Sequence, residues 1–221
     1  MIPVKGAMMS TVFFREALSM SVVESATRLF SLISADDAHF TRHLLPGLSE
    51  AEWQSITTFH RVTMSAEIEH FYRHFNLPAG YQTAEDKPTF YDGYWMLGLQ
   101  QALIKKHSLS EFAVEFFDDY EGHHGWLPFL DDGDNLFVLD TTHAVGTNGA
   151  SPVLLLFQGG EPEPRFVSLA AMFDTMHDWL SEGVLTIEDG RLSSTAKALR
   201  SRLAAVALRH NPDIEFWQQM V

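Results

Sequence analysis

No cysteine occurs among the 221 residues, which removes disulfides, zinc–thiolate sites, iron–sulfur clusters and thiol catalysis at once. Basic residues are scarce. Fifteen Lys and Arg face 29 Asp and Glu, a formal net charge of −14, so the cationic footprint that a phosphate backbone requires is missing. Long apolar runs are missing too. The longest early one, Ala7 to Phe14, is interrupted by Ser10 and Thr11 and followed at once by Arg15 and Glu16. It falls short of a signal-peptide core and of the roughly 18 apolar residues of a membrane span. The chain is therefore expected to be soluble and cytoplasmic, with neither nucleic acid nor membrane as its partner. It also has no G-x-S-x-G elbow, no Walker loop and no G-x-G-x-x-G fingerprint, so no cofactor is expected.

What the chain does have is core material. Hydrophobic residues make up 46% of it and aromatics 12%, enough for one domain of this length. Residues 11–34 repeat apolar side chains at helical spacing, including Phe14, Leu18, Val22, Leu29, Phe30 and Ile33. Ser49 followed by Glu52 has the form of a capping box opening a second helix through Trp53, Ile56 and Phe59. A third helix, Ser65 to Phe75, aligns Ile68, Phe71, Tyr72 and Phe75, and ends before Pro78.

Beyond Pro88 the pattern changes. Tyr94 to Leu97 reads as a short strand and Gln100 to Phe117 as a helix. Trp126–Leu130 and Leu136–Leu139 read as a hairpin across Asp131-Asp132-Gly133-Asp134. Pro152 to Phe157 is a near-continuous apolar run suited to a strand buried on both faces. Phe166-Val167, a helix over Leu169–Leu180, a strand over Val184–Ile187, an Asp189-Gly190 turn and a helix over Ser194–His210 close the chain at Asn211-Pro212. The class is α+β, a small mixed or antiparallel sheet flanked by helices.

In this order stand Phe75-Asn76-Leu77-Pro78-Ala79-Gly80-Tyr81, Gly93-Tyr94-Trp95-Met96-Leu97, Trp126-Leu127-Pro128-Phe129, the Asp-Gly turn, Leu136-Phe137-Val138-Leu139-Asp140 and the helix Leu169–Leu180. The series resembles the SUKH superfamily, which takes in the fungal Smi/Knr cell-wall assembly regulators and many bacterial immunity proteins. The resemblance spans about residues 44–182, leaving 1–43 as an N-terminal helical extension and 183–221 as a C-terminal hairpin and helix packed on the core. The turn Asp131–Asn135 is shorter than the Gly-rich turn of many members. The resemblance implies binding without chemistry: no catalytic residues, no metal, and a protein partner. For bacterial members that partner is a toxin, frequently a nuclease; fungal members act as interaction hubs. Trp126, Pro128, Gly133 and Asp140 take structural roles in that picture.

The charge distribution points the same way. No Lys or Arg occurs between Lys106 and Arg165, whereas eleven acids do. Uncompensated carboxylates draw in a basic partner and speed its encounter, although acidic turns also keep any protein soluble. The expected contact residues are Asp118, Asp119, Tyr120, Glu121, Asp131, Asp132, Asp134, Glu161 and Glu163. Tyr120 and Trp126 are candidate aromatic anchors, with a core position the stronger expectation for Trp126. The leading function is thus an immunity protein covering a basic toxin surface. The alternatives are a regulatory scaffold of the cell-wall type and a metal-assisted hydrolase using Asp118, Asp119, His123 and His124. Other ligand-like patterns are weaker. His70 and His74 lie one helical turn apart outside any HExxH, Asp131–Asn135 lacks the EF-hand spacing, and Glu161 with Glu163 has no sugar-binding aromatic beside it.

Overall fold

The computed structural model describes residues 21–36, 41–77, 89–116, 123–142, 149–157, 161–188, 191–193 and 200–221. In chain order the elements are α1 (Val22–Asp36), β1 (Leu45–Pro46), α2 (Glu50–His60), α3 (Ala66–His74), β2 (Phe75–Asn76), β3 (Thr89–Tyr91), β4 (Tyr94–Met96) and α4 (Leu99–Phe116). Then follow β5 (Trp126–Asp131), β6 (Leu136–Asp140), β7 (Val153–Leu156), β8 (Glu163–Phe166), α5 (Leu169–Ser181), β9 (Thr186–Glu188), β10 (Arg191–Ser193), α6 (Arg200–His210) and α7 (Glu215–Gln218). The expected α+β class is borne out. The sheet is larger than anticipated: among the described residues it has eight strands in the order β8-β7-β6-β5-β4-β3-β10-β9. It gains its outer pair because Leu192 of β10 aligns with Tyr91 in parallel, whereas the other pairs are antiparallel. β1 and β2 pair separately.

Local chemistry explains the helix ends. Ser49 and Glu52 form the anticipated capping box, the Ser49 hydroxyl receiving the Glu52 amide and the Glu52 carboxylate receiving the Ser49 amide at 2.8 Å. α2 closes on Arg61 in the left-handed conformation, φ 52°, where a glycine is the usual occupant. Ser168 caps α5 by accepting the Ala171 amide at 2.9 Å. The first two amides of that helix go elsewhere. Glu67, in the first turn of α3, accepts Ala170 N–H at 2.9 Å, Leu169 N–H at 3.3 Å and Ser151 N–H at 2.7 Å. Burial pushes its carboxyl pKa up, against the pull of the amides that favour the ionised form.

Side-chain alternation divides the core. On one face Leu127, Phe129, Phe137, Leu139, Val153 and Phe166 meet α5, whose Phe173 stacks on Phe71 at 5.4 Å and whose Trp179 stacks on Tyr91 at 6.1 Å. Phe30 of α1 sits edge-on to Phe75, Phe90 and Phe173. On the opposite face Trp126, Val138, Leu154 and Leu156 make a smaller cluster against Leu109 of α4. Trp126 is 0% exposed, so it is a core residue and not an anchor for a partner. α7, absent from the sequence reading, carries Trp217 into the main core, where its Nε1 donates to the Arg165 carbonyl at 2.6 Å. At Gly47 the residue is dictated by close approach. A Cβ on Gly47 would stand 2.1 Å from the Arg73 carbonyl oxygen, which no side chain tolerates.

Candidate partner-binding surface

Register decides which of the acidic turns can act together. Leu136 of β6 aligns with Leu156 of β7, and Leu155 aligns with Glu163 of β8. The β5–β6 turn and the β7–β8 connection therefore leave the sheet at the same end, about two strand spacings (~10 Å) apart. The Asp92-Gly93 turn joins them there, since Trp95 aligns with Asp131. Asp132, Asp134, Glu161 and Glu163 thus share one edge of the molecule.

The β5–β6 turn is fixed from within. Gly133 has φ 106°, and its amide donates to Asp131 Oδ1 at 2.8 Å. The Asp132 carboxylate accepts the amides of Asp134 and Asn135 at 2.9 and 2.6 Å, together with the Asn135 side-chain amide at 2.9 Å. Partial burial raises its pKa, but these bonds and one from the Tyr94 hydroxyl outweigh that and leave it lowered. Asp132 therefore keeps its negative charge without a cation among its described partners. Its hydrogen bonds are those of a self-satisfied turn.

Asp131 must be withdrawn from the expected contact set. Its side chain is 5% exposed and paired with Lys105, because β5 turns it inward beneath α4. Asp140 is likewise buried and accepts the Thr142 amide and hydroxyl at 2.9 and 2.6 Å. Glu163 is half-exposed and paired with Arg165 at 2.5 Å; the Arg165 guanidinium lies 3.2 Å from the centroid of the Phe216 ring. The cations at the two borders of the long basic-free stretch therefore fold back upon it: Lys105 onto Asp131, Lys106 onto the His124 and Trp126 carbonyls, and Arg165 onto Glu163.

The structure adds acids that the sequence reading missed. Beside Glu163, a cleft of about 490 Å³ is lined by Pro164, Asp213, Ile214, Glu215, Phe216 and Gln219. Asp213 and Glu215 are exposed and extend the acidic edge across β8 to the C-terminal segment. Their signal in the sequence was Phe216-Trp217, an aromatic pair after Pro212 that has to be buried against something.

Asp118, Asp119, Tyr120 and Glu121 lie outside the described residues, so the hydrolase alternative is left where the sequence put it; His124 is exposed. No group of three or more metal-ligand side chains occurs among the described residues. His74 Nδ1 is bonded to the His70 carbonyl at 2.8 Å, which takes that nitrogen away from any clamp with His70. No described helix is long and apolar enough to cross a membrane.

The profile of the SMI1 / KNR4 family (SUKH-1) matches residues 47–182. The chain belongs to this family. The match opens at the sterically required Gly47 and closes at the end of α5, so the SUKH-1 region holds both acidic turns. α1, β1, β9, β10, α6 and α7 fall beyond it, although Phe30 and Trp217 fill the same core. Comparison with curated proteins returns no match.

Proposed function

We propose that this SUKH-1 protein is a non-enzymatic binding domain of the immunity type, which neutralises a toxin by covering a basic surface with its acidic sheet edge. The observation that carries the reading is the convergence of Asp132, Asp134, Glu161 and Glu163 on one end of the sheet, with Asp213 and Glu215 continuing it. A nuclease presents cations to phosphate, and a fixed row of carboxylates competes for the same cations while steering the encounter. Asp132 is held by turn hydrogen bonds and Glu163 by Arg165, so these two lose little freedom on binding.

The test uses the exposed acids alone. A Asp134→Lys, Glu161→Lys, Glu215→Lys triple variant and the parent chain serve as baits in extracts of the producing cells at low and high salt. The expected result is a basic protein captured by the parent chain, released by salt, and lost with the variant. Expressing the captured protein with and without the parent chain then reads neutralisation as restored growth. A partner that is harmless alone points to a regulatory scaffold, and capture indifferent to salt and to the variant rejects the acidic surface.

A further inference from the structure

The opposite end of the sheet has a different character. There β5 begins at Trp126 and β6 ends at Asp140, with the Thr141 amide bonded to the Gly125 carbonyl at 3.0 Å. Two contiguous cavities of about 390 and 270 Å³ run between this end, α4 and the segment joining α2 to α3, and share His60, Val62 and Lys106. Leu103, Ile104, Met64 and Leu127 supply apolar wall; Arg61, His107 and His124 supply the remaining basic groups. In a protein of net charge −14, this groove collects an arginine, a lysine and three histidines.

Its construction keeps the charges in place. Lys106 Nζ donates to the carbonyls of His124 and Trp126, the latter at 2.9 Å, so the ammonium is tied to the floor. Asp140 lies near it, buried; it accepts the Thr142 amide and hydroxyl and its charge favours the ammonium form of Lys106. Apolar surface is left beside the cations: Ile104 is 57% exposed, and Phe59, whose ring meets His60 edge-on at 5.0 Å, is 81% exposed. A purely polar anion would leave these two side chains uncovered.

We propose that this groove docks an extended acidic segment of a partner protein, one that carries aliphatic side chains between its carboxylates. The carboxylates would meet Arg61 and the field of Lys106, and the aliphatic groups would cover Ile104, Val62 and Phe59. The surface is independent of the acidic edge, which lies at the other end of the strands.

The probe is a fluorescein-labelled peptide of roughly 12 residues alternating Glu and Leu, titrated into the full chain against Gln/Leu and Lys/Leu peptides of equal length. Saturable binding of the Glu/Leu peptide is expected, weakened about tenfold or more by raising NaCl from about 50 to about 500 mM. Ile104→Glu and Arg61→Gly are each expected to weaken it by a comparable factor. Arg61→Gly removes the cation while relieving the left-handed backbone, so its loss of binding cannot be put down to unfolding. Equal binding of the three peptides, no saturable binding, or unchanged affinity in both variants overturns the proposal. So does concentration-dependent self-association of the parent chain abolished by the same variants, which would make the acidic edge of a second copy the occupant.

Discussion

The two ends of the sheet differ in how their charge is held. At the acidic edge, Asp132 is kept ionised by amides of its own turn, and Glu161, Asp134 and Glu215 stand exposed around it. At the groove, Lys106 is half-buried and donates to two carbonyls of other segments. One end displays charge that its fold does not need, while the other uses a cation as part of the wall. Residues of the first kind are free to serve a partner; residues of the second kind do so only while holding the structure together.

Stability measurements can break this contrast. The largest effect is expected for Lys106→Met, which leaves the His124 and Trp126 carbonyls without their donor and Asp140 without the nearby ammonium. About 2–4 kcal/mol should be lost, read as a thermal midpoint lower by roughly 5–10 °C in a chain of this size. Asp131→Asn should cost less, about 1–2 kcal/mol, since the partner Lys105 is one-third exposed and screened. A loss from Asp131→Asn as large as that from Lys106→Met would erase the distinction drawn between the two ends.

A pH series sharpens the contrast at the acidic edge. The pKa of Asp132 is lowered in the folded state despite partial burial. Its contribution to stability is therefore present above the unfolded carboxylate range and lost as pH falls through the depressed folded value. Asp178 behaves alike: partial burial opposes but does not cancel the bonds from His210 at 2.8 Å and His177 at 3.1 Å, leaving its pKa lowered. Denaturant midpoints from about pH 6 to pH 3 should decline less steeply for Asp132→Asn than for the parent chain, by well under 1 kcal/mol since the site is solvated. The smallest effect belongs to Asp134→Lys, Glu161→Lys, Glu215→Lys, expected to leave the midpoint within about 1 °C of the parent because surface substitutions move stability little. A large drop there would mean that the exposed acids are structural after all.

Much of the architecture could be read from the chain. The capping pair Ser49 and Glu52, the period of Ile68, Phe71 and Tyr72, and the hairpin around Gly133 each declare themselves within a few residues. What could not be read were the features made by distant pairing. β10 joins β3 through one parallel alignment about a hundred residues apart in sequence, and no local pattern announces that. β8 begins at Glu163, in a stretch that reads as loop because Pro164 interrupts it, yet an edge strand accepts a proline. The acidic surface was legible in composition but not in detail. Asp131 resembles its neighbours until the strand turns it under Lys105, and Asp213 and Glu215 join the edge only because Trp217 anchors the last helix beside β8.

Glu67 has a consequence for how the molecule comes apart. One carboxylate ties the first turn of α3 to the entry of β7 and to the start of α5, segments more than eighty residues from it in sequence. Fraying any one of them strands a buried acid and exposes the amides of the other two. Hydrogen exchange at Ser151, Leu169 and Ala170 should therefore proceed at one common rate, that of a single opening event, so that two pieces distant along the chain breathe together or not at all.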